Sequence, residues 1–343
     1  MGLLWFLVAT VQAQIFSEYP VPTPNSELRL ITTGPDGALW FTEAQGNKIG
    51  RITTSGTVTE FPLPTSGSWP TGIRTGPDGA LWFTEFLGNK IGRITLSGTI
   101  TEFPIPTGDS RPFDITIGPD GQLWFTENDG GKIARVTTAG AITEFNIMAR
   151  LAGIAAGPDG NLWFTELDAN RVGRMTTAGL LVNEFDVPTP RSAPYLITDG
   201  PDGNMWFTES GTLEGKIGRV SPIGAFAEFP APRSFFVTPT GIAAGADRNL
   251  WFAELNGSSI GRVTLSGTVT EFPLPGNNGS PYGMTFGPDG RFWFTDIIGN
   301  RIGAFLTPQA AQTIPALSPA TALLLATFLA IAGAFFAGRI RLP

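Results

Sequence analysis

Cysteine and histidine are both absent from the 343 residues of the chain. Without cysteine the chain forms no disulfide and performs no thiolate chemistry, although this absence alone does not indicate a compartment. Without histidine it lacks the commonest general base at neutral pH and the commonest metal ligand. Any metal would therefore be held by oxygen atoms, which points to Mg²⁺ or Ca²⁺ rather than zinc.

Basic side chains are outnumbered, with 22 lysines and arginines against 29 aspartates and glutamates, and the formal net charge is −7. Nucleic-acid binding needs a basic stripe, so we expect no nucleic-acid partner. Hydrophobic residues make up 42% of the chain, which is ample for a buried core. The 44 glycines and 29 prolines fall mostly in periodic turns, which argues against disorder.

One stretch recurs along the chain: Gly-Pro-Asp-Gly-x-Leu-Trp-Phe-Thr-Glu, first seen at Gly34 to Glu43 and repeated with increasing change. Its aspartates are spaced 42, 42, 39, 43, 45 and 42 residues apart. They are Asp36, Asp78, Asp120, Asp159, Asp202, Asp247 and Asp289. A repeat of this period predicts an all-β propeller with one four-stranded sheet, or blade, per copy. Seven copies predict seven blades.

Each period divides into four strands by its alternation and β-branched content. Strand A precedes the Gly-Pro-Asp-Gly turn, strand B is Leu-Trp-Phe-Thr-Glu, strand C is Lys-Ile-Gly-Arg-Ile-Thr, and strand D is Thr-Val-Thr-Glu-Phe-Pro. The last repeat lacks strand D, whereas Phe16 to Val21 matches strand D and precedes the first repeat. We therefore predict that the N-terminal strand completes the last blade and closes the ring, which removes an open edge.

The turns assign the two faces of the predicted propeller. Gly-Pro-Asp-Gly joins A to B, and Ser-Gly or Ala-Gly joins C to D, so both turn types lie on one face, here called the bottom. The D–A and B–C loops lie on the opposite face, called the top, and their sequences vary far more. Variable loops on a regular scaffold commonly carry function, so we expect the site on top.

The ends of the chain differ from the repeats. Residues 1–13 are apolar, end in a small-x-small pattern and predict a secretory signal, whose missing basic residue indicates a start inside a longer signal. The propeller is assigned to residues 14–308. Residues 319–338 carry no charge and are long enough to span a bilayer as a helix, and the basic tail at 339–343 belongs in the cytoplasm. The propeller is then exported.

The C-terminal segment also resembles the bacterial IPTL-type sorting signals. Its linker, residues 309–318, contains Ile314-Pro-Ala-Leu-Ser318, followed by the apolar stretch and the basic tail. Ala316 stands where threonine is usual in that signal. The resemblance implies the bacterial inner membrane and a sorting protease as partners.

The repeat, followed by Gly-Asn-Lys-Ile-Gly-Arg-Ile-Thr, resembles the streptogramin lyase (virginiamycin B lyase) family of seven-bladed propellers, over roughly residues 15–307. The resemblance implies Mg²⁺-dependent elimination at the ester linkage of type B streptogramins. The family's general base is a histidine in the Pro-His-Gly that opens strand A of a late blade. A second histidine in the preceding blade and the glutamate that ends strand B complete that site. The corresponding residues here are Tyr282, Thr240 and Asp296.

These replacements do not carry the family's chemistry. Proton abstraction next to a carbonyl needs a base with a pKa near the working pH. Thr240 cannot serve, Tyr282 would need a large downward pKa shift, and Asp296 would need its pKa raised strongly by burial. We therefore expect the fold to carry over without the activity.

Carboxylates are predicted at the top ends of all seven B strands. They are Glu43, Glu85, Glu127, Glu166, Glu209, Glu254 and Asp296. One interpretation is a Mg²⁺ or Ca²⁺ site that includes Asp296 and Glu254, helped by acidic residues placed on the same face: Asp109, Asp114, Asp129, Asp168 and Asp199. The other is structural pairing with strand C, for example with Lys48 and Arg51. A residue present in every blade serves the blade, which favours pairing, and we likewise expect the seven repeat tryptophans to be core.

Departures from the repeat carry more information about function. Aromatic and arginine residues in the top loops are typical of a binding surface. The candidates are Trp69, Arg111, Phe113, Arg191, Tyr195, Phe236 and Tyr282. Two functions remain: a non-catalytic, surface-displayed propeller that binds a peptide, glycan or protein, and a lyase-like or lactone-hydrolysing enzyme that uses carboxylates and a divalent metal. The absence of histidine favours the first.

Overall fold

The computed structural model describes residues 16–211, 215–231 and 237–307. The predicted signal, sorting box, apolar helix and basic tail lie outside the described residues. Within those residues, no helix has the length and apolar character needed to cross a bilayer.

The described chain forms seven four-stranded antiparallel sheets. Their first strands contact one another in sequence around the axis, and β26 contacts β2, so the sheets form a closed seven-bladed propeller. These innermost strands are β2 (Leu28–Thr33), β6 (Pro70–Thr75), β10 (Pro112–Ile117), β14 (Leu151–Ala156), β18 (Pro194–Asp199), β22 (Pro239–Ala244) and β26 (Pro281–Phe286). The all-β seven-bladed prediction is confirmed.

The second and third strands of each blade follow the repeat. The second strands are β3 (Leu39–Glu43), β7 (Leu81–Glu85), β11 (Leu123–Glu127), β15 (Leu162–Glu166), β19 (Met205–Glu209), β23 (Leu250–Glu254) and β27 (Arg291–Asp296). The third strands are β4 (Lys48–Ile52), β8 (Lys90–Ile94), β12 (Lys132–Val136), β16 (Arg171–Met175), β20 (Lys216–Val220), β24 (Ser259–Val263) and β28 (Arg301–Leu306).

The outer strands complete the blades, and the last blade takes its outer strand from the N-terminus. They are β1 (Phe16–Pro20), β5 (Val58–Pro62), β9 (Ile100–Pro104), β13 (Ile142–Asn146), β17 (Leu181–Asp186), β21 (Phe226–Pro230) and β25 (Val269–Pro273). A short 3₁₀ turn, Pro275–Asn277, precedes β26. β1 pairs antiparallel with β28, from Phe16 opposite Phe305 to Pro20 opposite Arg301, which confirms the predicted closure.

The Gly-Pro-Asp-Gly turn has a role beyond changing chain direction. Gly37 has the positive φ, +71°, that the turn requires. Asp36 accepts bonds from the Ala38 amide (3.3 Å), the Trp40 indole (3.1 Å) and the Arg51 guanidinium (2.7 Å). Burial raises the pKa of Asp36, but the bonds from Trp40 and Arg51 outweigh it and leave that pKa below its ordinary value. One carboxylate thus ties together the first three strands of the blade.

The core lies mainly between neighbouring blades. Trp40 is fully buried, packs with Ile73 and Phe83 of the next blade, and stacks on Phe61 with ring centroids 5.6 Å apart. The other six repeat tryptophans are also fully buried, as predicted. Truncating a buried aromatic side chain of this kind typically costs about 3–5 kcal/mol.

Hydroxyl groups of strand B link each blade to the next near the axis. Thr42 donates to the carbonyl of Thr71 in the following blade at 2.7 Å. The same type of bond joins the last blade to the first, where Thr295 donates to the carbonyl of Arg29 at 2.6 Å. The ring is therefore closed both at its rim, by β1, and at its axis.

Candidate functional site

The strand-B carboxylates lie at the ends of their strands and are fully buried. Burial, together with the charge of Glu60, raises the pKa of Glu43 to about 7, while Ser26 and Lys48 lower it. Burial likewise raises the pKa of Glu85, Glu127 and Glu166 to about 7, and that of Glu209 to about 8. These side chains therefore exchange their protons near neutral pH while shielded from solvent.

The predicted pairing of these carboxylates with strand C is wrong in the first blade. Lys48 binds Glu60 of the outer strand, at 2.7 Å, and Arg51 binds Asp36, also at 2.7 Å. The side chains of both ion pairs are partly exposed, whereas Lys48 would have to enter the buried interior to pair with Glu43. Burying two charges carries a desolvation cost that often exceeds their attraction, so the lysine pairs with the more exposed partner.

The Asp296 carboxylate is paired with a cation. One of its oxygens accepts the amides of Ser280 (2.7 Å) and Gly299 (3.0 Å), and the other accepts the Arg301 guanidinium (2.8 Å). This carboxylate is fully buried and engaged by the loop before β26. Glu254 is also fully buried. No group of three or more acidic side chains within the described ranges is arranged to hold a metal ion.

At the axis, four first strands bring large side chains together at their top ends. The Tyr195 and Tyr282 hydroxyls are 2.5 Å apart, and the Tyr195 ring packs on Phe113 at 5.4 Å. The Arg29 guanidinium lies 5.0 Å from the Tyr282 ring and 6.0 Å from the Trp69 ring. Burial, then the neighbouring Tyr282, raises the pKa of Tyr195 well above 10. We call Arg29, Phe113, Tyr195 and Tyr282 the axial plug.

Sequence reasoning placed Trp69, Phe113, Tyr195 and Tyr282 on one exposed binding surface. The structure brings them together, but Phe113 and Tyr282 are buried, because their rings pack against Tyr195 inside the plug. Sequence reasoning missed Arg29, although a signal was present. The other blades open strand A with Pro-x-Gly or a close variant, whereas the first has Leu28-Arg29-Leu30.

A groove of about 660 Å³ lies on the top face, lined by the B–C loop of the third blade and the loop that leads to the fourth. Its wall includes Asp129, Met148 and Arg150. The groove lies where the repeat spacing falls from 42 to 39, because the D–A loop before β14 is short. Arg111 binds Asp129 at 3.0 Å and lies 5.7 Å from the ring of Phe86.

The remaining candidates are scattered. Arg191 is exposed in the loop before β18, and Phe236 lies outside the described residues. Asp109, Asp129 and Asp168 are exposed in top loops. Asp199 ends β18 and therefore lies at the bottom, and Asp114 is buried within the ring, so neither joins the top surface as expected.

Thr240 has a structural role. Its hydroxyl donates to the carbonyl of Tyr282 at 2.9 Å, and Thr71 makes the same bond to Phe113 at 2.9 Å. In the sixth blade strand B carries Ala253 in place of the linking threonine. Thr240 thus supplies a link between blades that Ala253 cannot.

The virginiamycin B lyase family model matches residues 8–212 and 148–320. The chain belongs to this family. Among solved structures, selenomethionine-substituted virginiamycin B lyase from Staphylococcus aureus is similar to it, with 37% identity, a TM-score of 0.81, and 86% of this chain and 99% of that chain covered. A catalytically inactive histidine-to-alanine variant of the same lyase with quinupristin matches with 37% identity, a TM-score of 0.80 and the same coverage.

A curated virginiamycin B lyase from Bordetella parapertussis is 49% identical over 43 residues. That match spans only 12% of this chain and 14% of the Bordetella protein. The family's fold is therefore established here along the whole propeller, while membership alone does not establish its reaction. Thr240, Tyr282 and Asp296, which the sequence resemblance assigned to the family's catalytic positions, are each engaged in a contact within the propeller.

Proposed function

We propose that this chain is a non-catalytic member of the virginiamycin B lyase family that binds a peptide-like ligand on its top face. One observation carries the proposal: the three residues at the family's catalytic positions all bond to other parts of the propeller. The Thr240 hydroxyl is bonded to a carbonyl, the Tyr282 hydroxyl to Tyr195, and the Asp296 carboxylate to Arg301.

The family's elimination needs a base that reaches the substrate and has a pKa near the working pH. A threonine hydroxyl is no such base. Asp296 is fully buried, and its carboxylate is occupied by the Arg301 guanidinium and the amides of Ser280 and Gly299. The loss of a positioned general base typically lowers a rate by about 10²–10⁴.

Binding is supported by the composition of the top face. Trp69 and Met148 offer apolar surface, and Arg111 and Arg150 offer guanidinium donors beside the groove. Aromatic and arginine side chains dominate the energy of many interfaces, and guanidinium groups suit carbonyl and carboxylate acceptors. The backbone φ angles of Trp69 (+55°) and Arg111 (+52°) lie in the left-handed region, where a non-glycine residue persists only if its surroundings hold it. The backbone at these two residues is therefore held by the surrounding propeller.

Quinupristin is a suitable probe, since it accompanies the inactive Staphylococcus aureus lyase. We expect saturable binding by isothermal calorimetry, weakened about tenfold or more by Trp69→Ala and by Arg111→Ala. Leu96→Ser, on an exposed turn of the bottom face, is the matched control and should bind like the parent. Equal affinity in all four proteins would contradict a top-face site.

The alternative is a lyase or lactone hydrolase that uses a carboxylate and Mg²⁺ or Ca²⁺. Glutamates with a pKa near 7 would suit a base, but Glu43 and its equivalents have no exposed surface. A metal at Asp296 would have to displace Arg301. If Mg²⁺ raised the melting temperature of the parent but not of Asp296→Asn, the alternative would be favoured, because a ligand of the folded state stabilises it.

Export and anchoring belong to the same proposal and rest on residues 1–13 and 319–343. We expect the full chain to fractionate with bacterial membranes until a sorting protease acts, and a chain ending at Pro308 to be recovered without detergent. Full-length protein recovered intact from the soluble fraction would count against the anchor.

A further inference from the structure

The groove on the top face results from two departures of the third blade from the repeat. The loop before β14 consists of residues 147–150, which makes it shorter than every other D–A loop. Gly131 replaces the asparagine that four other blades carry in the B–C loop. In the first blade this asparagine, Asn47, donates to the Thr65 carbonyl at 2.9 Å and accepts the Ser68 amide at 2.7 Å, which ties the two top loops together. The third blade has neither the longer loop nor this tie, and the groove lies between its two loops.

The groove carries more positive than negative charge. Arg150 and Asp129 are in its wall, and Arg111 contacts Asp129 from the loop before β10. The Asp129 carboxylate lies 3.0 Å from the Arg111 guanidinium and 3.4 Å from that of Arg150. Within the described residues neither arginine has a second carboxylate partner, and their side chains are 46% and 49% exposed. Two accessible guanidinium groups therefore share one carboxylate, on a chain whose formal net charge is −7.

Apolar surface and unbonded polar groups line the groove beside these arginines. Met148 is 92% exposed and has a φ of +69°. An exposed thioether side chain in the left-handed region is unfavourable on both counts, and methionine adapts its shape to apolar partners. In the described part of the chain, the Asn146 side chain and the backbone amides of Ala149 and Arg150 make no hydrogen bond to protein. The groove thus offers donors for an anion next to apolar surface.

We propose that this groove binds the C-terminal end of a linear peptide whose last residue is apolar. The α-carboxylate of the peptide would bind Arg111 and Arg150, and the last side chain would pack on Met148. The inference rests on the proposed top-face function and names the part of the peptide that is recognised.

The charge of the groove favours a carboxylate over other anions. A carboxylate has one negative charge and balances the excess of the two arginines over Asp129. A phosphate monoester has a charge of about −1.5 to −2 at pH 7 and would leave negative charge beside Asp129. Guanidinium groups also bind carboxylates through paired donors. A C-terminal residue carries its carboxylate and side chain on one carbon atom, which suits Arg150 and Met148, since they are two residues apart and both line the groove.

The test is a calorimetric titration of the full chain with four N-acetylated tripeptides, in which the acetyl group removes the N-terminal charge. N-acetyl-Ala-Ala-Leu is the expected ligand. Its C-terminal amide lacks the carboxylate, N-acetyl-Ala-Ala-Gly lacks the apolar side chain, and N-acetyl-Ala-Asp-Leu amide moves the carboxylate to an internal side chain. We expect the leucine acid to bind saturably and each of the others to bind at least about tenfold more weakly.

Two variants locate the binding. Arg150→Gln removes a guanidinium from an exposed side chain and should weaken the leucine acid at least about tenfold. Gly131→Asn restores the asparagine of the other blades at a φ of +62°, close to the +53° of Asn47, so it should fold like the parent. A Cβ at Gly131 would lie 3.4 Å from the Met148 Cα, so the new side chain should occupy the groove and weaken binding. Arg248→Gln, at an exposed bottom turn, is the control and should bind like the parent.

The inference would be overturned if any of the three other peptides bound as tightly as the leucine acid, if Arg150→Gln kept the parent affinity, or if the leucine acid did not bind. Quinupristin separates this inference from the proposed function. If quinupristin binds the parent and the leucine acid does not, the C-terminal groove alone is refuted. If neither binds, the top-face function fails as well.

Discussion

The Thr295 hydroxyl of the last blade donates to the Arg29 carbonyl of the first, at 2.6 Å. This bond fixes the backbone of the residue whose guanidinium lies over the Tyr282 ring, 5.0 Å from its centroid. Closure of the ring at its axis and assembly of the axial plug therefore depend on the same residue, Arg29.

Thr295→Val should destabilise the fold by about 1–3 kcal/mol, because at nearly constant volume it leaves the Arg29 carbonyl without its donor and the Gly283 amide without its acceptor. Urea or thermal unfolding measures the change. Thr295→Ser keeps the hydroxyl and is the control, so it should retain most of the parent stability. Indistinguishable stabilities for the valine and serine variants would mean that the axial bond contributes little.

Removal of residues 14–22 should give aggregated or poorly folded protein. It deletes β1, leaves β28 as an unpaired edge, and removes the Tyr19 ring that stacks on Trp293 at 5.5 Å. Size-exclusion chromatography and thermal melting measure the outcome, with removal of residues 1–13 as the control. A cooperative melt at the parent temperature in the longer deletion would refute closure by the N-terminal strand.

The buried glutamates should make the propeller less stable as the pH rises. Burial, then the nearby Glu228, raises the pKa of Glu209 from 4.5 to about 8, with Lys216 and Ser192 opposing. A raised pKa means that folding takes up a proton, so the stabilisation is complete below pH 4.5 and is lost as the pH rises through about 8. Between those limits the slope is at most about 1.4 kcal/mol per pH unit for this group.

Glu209→Gln separates this contribution from the rest. Relative to the parent, the variant should gain stability as the pH is raised from about 4.5 to 8, because glutamine has no proton to lose. Asp168→Asn, at an exposed top-loop residue, is the control and should follow the parent profile. Parallel melting profiles for the parent and Glu209→Gln would show that Glu209 does not titrate in this window.

The seven-bladed fold could be predicted because the same four-strand pattern occurs seven times in the sequence. The repeated spacing of Asp36, Trp40 and Arg51 marks the turn at the bottom of each blade. The D-type strand that begins at Phe16 has no repeat of its own, and it therefore indicated how the ring closes. Lys48 shows where pattern reasoning fails. It lies between Glu43 and Glu60 on adjacent strands, and which one it pairs with depends on burial, which spacing does not reveal.

Spacing in the sequence also failed to predict which side chains contact one another in the candidate site. Tyr195 and Tyr282 were identified as departures from the repeat, but their mutual hydrogen bond depends on side-chain reach across the axis. Arg29 was overlooked because its partner lies in the last blade, on the far side of the closure. Asp199 was assigned to the wrong face because strand A extends to the last residue before the bottom turn.

The most direct test of a binding role without catalysis is a chromatographic time course of quinupristin with the propeller, residues 14–308, and Mg²⁺. The Staphylococcus aureus lyase is the positive control. We predict that quinupristin stays intact, because Thr240, Tyr282 and Asp296 supply no free base. Appearance of a linear product of unchanged mass would contradict this account and reveal elimination, while a product heavier by one water would reveal a hydrolase.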